Sequence, residues 1–231
     1  LNEFINDFLS TKKTASQKFN NNQEKLKNLY SPHKLSNFSY NFFNFFNSTT
    51  FINFLENLTK IKGLIPDPYF LGGGMHETFN GGHLDIHADF NLHPIMNLEG
   101  RINVLIYLNK DWKKSYGGQF ELWDKDMKKI SKEFDPIYNR CIIFNTSSSS
   151  YHGNPNPVNH PNNSSRLSIA LYYYTASWSK LKKSHSTKFK IRPNSPDKAN
   201  RLENIKDIIV DFIPPIIIRG IKRLIQYINM N

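Results

Sequence analysis

Hydrophobic residues follow two different periods along this 231-residue chain. In residues 1–64 they recur at helical spacing. LNEFINDFLS shows it, and TTFINFLENLTKI (49–61) places Phe51, Phe54, Leu55 and Leu58 at i, i+3, i+4 and i+7. The region is expected to be mostly helical, although the aromatic, Asn-rich NFSYNFFNFFN between these segments takes no assignment. From about residue 65 short β-branched and aromatic runs alternate with Gly, Asn and Pro. RINVLIYLN (101–109), GGQFELWD (117–124), NRCIIFNT (139–146) and RLSIALYYYT (166–175) read as strands of a sandwich or barrel. Neither βαβ alternation nor a glycine-rich phosphate loop appears. The basic, Pro-containing KLKKSHSTKFKIRPNSPDK (180–198) reads as a linker or surface arm. A last helix, broken at Pro214–Pro215, puts Ile217, Ile221, Leu224, Ile225 and Ile228 opposite Arg219, Lys222, Arg223 and Gln226. Docking on its own domain and binding a membrane surface or partner are equally open for it.

Charge follows the same division. Residues 1–64 carry eight Lys/Arg and four acids, residues 65–179 ten and eleven, and residues 180–231 twelve and four. The net charges are +4, −1 and +8, so most of the +11 excess lies in the tail. Contact with an anionic surface or nucleic acid is therefore a tail property, and the middle is neutral. One cysteine, Cys141, excludes an intramolecular disulfide and a Cys-based zinc site. Its apolar setting, CIIF, predicts a buried structural thiol. No uninterrupted apolar stretch is long enough to span a bilayer, and the N-terminus is unlike a signal peptide. A cytoplasmic protein, with peripheral membrane contact through the tail, is the expectation.

The chemistry concentrates in GGHLDIHADFNLHP (81–94), which holds the overlapping pairs His83–Asp85 and His87–Asp89. Residues i and i+2 of a strand point to one side, so a His-x-Asp pair can offer a nitrogen and a carboxylate oxygen to one ion. Two histidines and one carboxylate suit non-haem Fe(II) and leave adjacent positions free. The second histidine is sought among His93, His152, His160 and His185. His152 follows the CIIFNT strand in a loop, SYHGNP, suited to aiming its ring inward, whereas His160 and His185 read as solvated.

Taken together, the His-x-Asp at 87–89, the RINVLIYLN and GGQFELWD strands, the distal His152 and Arg166-x-Ser168 resemble the 2-oxoglutarate/Fe(II)-dependent oxygenases, prolyl 4-hydroxylase-like branch. The resemblance runs from about Gly72 to Thr175. It implies His87, Asp89 and His152 as catalytic metal ligands, with His83 and Asp85 left to the pocket or its rim. Arg166, an arginine opening an apolar strand, needs an anionic partner; the family implies the far carboxylate of 2-oxoglutarate, helped by Ser168 and Tyr107. The implied cofactors are Fe(II), 2-oxoglutarate and O2, with ascorbate as an accessory reductant.

The expected architecture is mainly β with flanking helices (α+β). Helical support over 1–64 precedes a double-stranded β-helix (jelly-roll) core over 65–179 and a basic linker and amphipathic helix over 180–231. The expected activity is hydroxylation of an unactivated C–H, on a prolyl residue of a protein or on a sugar, lipid or small metabolite, releasing succinate and CO2. A non-catalytic metal-binding jelly roll is the competing class. Asn103 and Arg101 are bracing candidates, Gly117–Gly118 a tight strand entry, and Trp112, Trp123 and Tyr151 core aromatics before they are a substrate mouth. For His93, before Pro94, a loop-stabilising role, a substrate-side role and no special role all stay open, the last being favoured.

Overall fold

A computed structural model describes residues 1–11, 14–176 and 184–198. Leu1–Asp197 form one compact unit, and the amphipathic helix expected beyond Pro215 lies outside the described residues. Among the described residues no helix is long and apolar enough to cross a membrane.

Helix α1 (Asn2–Ser10) is followed by a hairpin of β1 (Gln17–Phe19) and β2 (Glu24–Tyr30), so the N-terminal region is helical only in part. Then come α2 (Asn37–Phe46) and α3 (Thr49–Thr59). The NFSYNFFNFF run is thus a helix, started by Ser36, whose hydroxyl accepts from the Ser39 amide. The β region comprises β3 (Ile65–Pro66), β4 (Gly74–Ala88), β5 (Glu99–Tyr107), β6 (Phe120–Trp123), β7 (Ile130–Phe134), β8 (Cys141–Asn145), β9 (His152–Asn154), β10 (Arg166–Thr175) and β11 (Lys188–Phe189).

The strands curl into a jelly roll with the antiparallel order β7-β6-β9-β4-β10-β5-β8. The long β4 is the backbone of the fold. It pairs with β10 over Gly74–Thr78, with β2 from Met75 to Leu84, and with β9 and β11 towards its end. Asn80-Gly81-Gly82, a turn signal by composition, lies inside β4 and kinks it. A Cβ on Gly82 would come 2.7 Å from the Lys25 carbonyl oxygen, so the two backbones can approach here only through glycine.

Strands β5 and β10 are buried on both faces, as their near-continuous apolar runs require. Leu167, Ile169, Leu171 and Tyr173 of β10, with Ile102, Val104 and Ile106 of β5, pack into a core shared with Phe4, Phe8, Phe43 and Leu55 of the helices. The alternate residues Arg166, Ser168, Asn103 and Tyr107 face an internal cavity. Full burial of each such aliphatic or aromatic side chain is worth about 1.5–3 kcal/mol, so the helices anchor the sheet while the polar period remains free for a site.

Two local expectations change. Cys141 is exposed rather than buried, because it opens β8 at the edge of the sheet. The arm beyond residue 183 joins the core: Lys188 and Phe189 pair with Ala88 and His87, and Arg192 binds Asp197 through Nε and Nη2 at 3.0 Å each.

Candidate active site

The end of β4 delivers His87 and, just beyond it, Asp89, while β9 begins at His152, the register partner of His87. His152 is therefore a strand residue and not a loop residue, and strand pairing fixes its distance from His87. One donor atom from each of His87, Asp89 and His152 lies within 4.8 Å of the other two. The Nε2 atoms of His152 and His87 stand 3.3 and 3.5 Å from the two Asp89 carboxylate oxygens. Each imidazole is oriented from behind: Nδ1 donates to a carbonyl at 2.9 Å, that of Asp85 for His87 and that of Ser150 for His152. Those bonds select the tautomer whose Nε2 lone pair faces Asp89, as metal-ligating histidines require. Asn103 Nδ2 donates to Asp89 Oδ2 at 2.7 Å and holds the carboxylate plane. Burial opposes ionisation of Asp89, but the two imidazoles outweigh it and hold the carboxyl well below its usual range. Burial would lower His152, and the Asp89 charge raises it instead. Two imidazoles and one carboxylate converging on a buried point make a donor set that fits Fe(II).

Deeper in the cavity, Arg166 is 4% exposed. Its Nε donates to the Gly118 carbonyl at 2.8 Å, and its Nη2 lies 3.3 Å from the Tyr107 hydroxyl. Among the described residues no carboxylate lies within ion-pair distance of the guanidinium, so none of them supplies its counter-charge. Burial accordingly lowers its pKa. Such a group is costly unless an anion joins it. Ser168 projects from the same face of β10 into the same cavity of about 230 Å³. The residues present fit a dicarboxylate with one end at Arg166. Gly118 also shapes the site, with φ +69° and an absent Cβ that would lie 2.8 Å from Arg166 Cδ.

The other predicted residues separate from this site. His83 and Asp85 are not among the cavity-lining residues, because an irregularity between Leu84 and His87 reverses which positions face inward. Asp85 instead meets the arm; burial and Asp197, opposed by Arg192, push its carboxyl up to about 7. His93 is loop-stabilising: its Nδ1 accepts from the amides of Ile95 and Met96, and its Nε2 is 3.3 Å from Asp67. His160 packs against Trp112 and Tyr116 rather than standing free in solvent. His185 bonds Ser148 through Nε2 at 2.7 Å. Trp112 is buried, and Trp123 and Tyr151 pack together with Ile86 and Ala88, so none forms the mouth.

Several cavity residues had no signal in the sequence. The hairpin β1–β2 roofs the space with Phe19, Glu24 and Lys27. His76 lines it too, and burial and the Lys27 charge push its pKa down to about 3, so it is a neutral imidazole. Thr187 of the arm also reaches the cavity, and Phe189 packs 5.5 Å from His87, ring centre to ring centre.

The chain resembles known proteins over its β region. Residues 73–174 match the family model of the 2OG-Fe(II) oxygenase superfamily. A prolyl hydroxylase from Trichoplax adhaerens, solved with a hypoxia inducible factor oxygen degradation domain peptide, is 17% identical, with 75% of each chain covered and a TM-score of 0.50. That likeness shows the fold. A Pseudomonas putida prolyl-4-hydroxylase is 16% identical over 44% of this chain, with a TM-score of 0.34. A Phytophthora capsici prolyl 4-hydroxylase is 18% identical over 58%, with a TM-score of 0.41. The match spans 48% and 42% of those two proteins, respectively.

Proposed function

We propose that this chain, whose residues 73–174 form a 2OG-Fe(II) oxygenase superfamily segment, is an Fe(II)- and 2-oxoglutarate-dependent dioxygenase that hydroxylates an unactivated C–H bond, releasing succinate and CO2. The observation that carries this reading is the pairing, in one cavity, of a two-His-one-carboxylate set with a buried arginine that has no acidic partner among the described residues.

In this reading His87, Asp89 and His152 hold Fe(II) from one side, leaving adjacent positions for cosubstrate and O2. Arg166 receives the far carboxylate of 2-oxoglutarate, with Tyr107 and Ser168 as further hydroxyl donors. Bound Fe(II), with 2-oxoglutarate and O2, supplies the oxidising chemistry. The protein's own part is placement. Asn103 fixes the Asp89 carboxylate, the two carbonyl bonds fix the imidazoles, and Leu105 and Phe120 line the cavity with apolar surface that excludes water.

The peptide bound by the Trichoplax enzyme makes a prolyl residue of a protein the first substrate reading. The charged roof over the cavity favours a second, a small polar metabolite. Calorimetric titration of 2-oxoglutarate into the Mn(II)-loaded protein tests the cofactor assignment. Binding that falls at least about tenfold in Arg166→Ala and disappears without metal supports it; equal binding by wild type and Arg166→Ala refutes it.

A further inference from the structure

Strand β2 contains a reversal of the usual order. The sequence Lys25-Leu26-Lys27 should alternate, and the leucine belongs inside. Instead Leu26 is 36% exposed and Lys27 only 7%. A break in the β2–β4 register between Lys25 and Lys27 produces the reversal, and Leu26 takes φ 47°, left-handed backbone that a leucine rarely adopts. Opposite it lies the glycine kink of β4, where Gly81, at φ +78°, sits beside Leu26 Cδ1. Both strands are thus bent so that a lysine enters the cavity and a leucine leaves it. Such strain persists where surrounding structure enforces it, and it clusters at ligand sites.

Lys27 Nζ donates to Glu24 Oε1 at 3.1 Å, and its ammonium lies 4.8 Å from the Phe19 ring centre. An ammonium has three donors, and Glu24 is the hydrogen-bond acceptor recorded for it among the described residues. The second carboxylate oxygen of Glu24 has no recorded partner there either. Both side chains line the cavity that holds the metal triad and Arg166. Arg166 is a separate cation, engaged by Gly118 and Tyr107, so Lys27 and Glu24 remain for another ligand. Asn154, 5% exposed and lining the same cavity, has a side-chain Nδ2 without a hydrogen-bond partner among the described residues.

We propose that Glu24 and Lys27 form a head-group site for a zwitterionic primary substrate of the amino-acid type, its carboxylate on Lys27 and its ammonium on Glu24. The proposal rests on the oxygenase reading for what happens next to that substrate. An adjacent cation and anion with spare donor and acceptor capacity match a ligand that carries both charges on neighbouring atoms, whereas an internal peptide residue would bring neither charge. The cavity's volume of about 230 Å³ is on the scale of small molecules rather than of a folded partner. The head-group site and the metal triad line one cavity, so a substrate held by Glu24 and Lys27 shares that space with the triad.

The test is titration calorimetry on the full chain with Mn(II) and 2-oxoglutarate present. The probes are the common free amino and imino acids, each beside its N-acetyl amide, which keeps the side chain and removes both charges. The expected result is that at least one free acid binds, its capped form does not, and Lys27→Met weakens binding about tenfold or more. Lys27→Arg keeps part of the affinity, and Lys25→Met, at the exposed neighbour, changes nothing. Circular dichroism melts identify any variant that has failed to fold. No binding by any free acid, equal binding of a capped form, or wild-type affinity in folded Lys27→Met overturns the proposal. Binding as expected, with no succinate from the Fe(II)-loaded enzyme, would fail the oxygenase reading and leave the head-group site standing. Succinate formation without binding of a free acid would do the reverse.

Discussion

The carbonyl of Gly118 accepts the Arg166 Nε hydrogen bond at 2.8 Å, and the Cβ that Gly118 lacks would lie 2.8 Å from Arg166 Cδ. One residue therefore both aims the guanidinium and makes room for it. The φ of +69° adds a second reason for glycine at this position.

On the proposed reading Gly118→Ala should therefore act on the Arg166 end of the cavity without touching His87, Asp89 or His152. We expect the apparent 2-oxoglutarate affinity to fall about tenfold and stability to drop by about 1–2 kcal/mol, while Mn(II) affinity is retained. Separate titrations of metal and 2-oxoglutarate, beside a urea melt, check this. Loss of metal affinity with unchanged 2-oxoglutarate binding would contradict it.

Asn103 acts on the other end. Its amide holds Asp89 Oδ2 at 2.7 Å, and removing a hydrogen bond that orients a metal ligand typically costs about 10–100-fold in metal affinity or activity. Asn103→Ala should show a loss of that size in a competition titration against a metal chelator, with 2-oxoglutarate binding at saturating metal little changed.

The N-terminal helices are tied together by a carboxylate. Asp7 of α1 accepts hydrogen bonds from the hydroxyls of Ser36 and Ser39 at the start of α2, and these bonds, with Thr11, lower its pKa against a smaller opposing effect of burial. A depressed carboxyl stabilises the folded state above its unfolded pKa, and that stabilisation is lost as pH falls through the folded value, below 3.8. Asp7→Asn should cost about 1 kcal/mol near neutrality. The gap between wild type and variant should close in melts run progressively below pH 4.

Much of this was legible in the sequence because the strands that build the barrel are buried on both faces. RLSIALYYYT and RINVLIYLN read as strands for that reason; Arg166 stood out as a charge opening an apolar strand, with Ser168 on its face, whereas Tyr107 came only from the family resemblance. The period of two marked two histidine–aspartate pairs, and only the family resemblance singled out His87 and Asp89 from His83 and Asp85. The length of β4 was not, since Asn80-Gly81-Gly82 carries the chemistry of a turn and serves here as a kink. Lys27 was invisible for a related reason: alternation assigns Leu26 to the interior, and only the register break reverses it. Cys141 misled through its apolar neighbours, because edge position in a sheet is a tertiary property. The pairing of the arm with β4 at Ala88 and His87 had no signal in the sequence, because it depends on an edge that no local pattern reveals.

The most direct test of the oxygenase reading is succinate formation from 2-oxoglutarate by anaerobically purified protein given Fe(II) and air, beside Asp89→Ala and Arg166→Ala. That reading predicts Fe(II)-dependent succinate from the wild type, none from Asp89→Ala, and a weakened yield from Arg166→Ala that partly recovers at high 2-oxoglutarate. Undiminished succinate from Asp89→Ala, or a wild type that neither forms succinate nor binds 2-oxoglutarate, would contradict it.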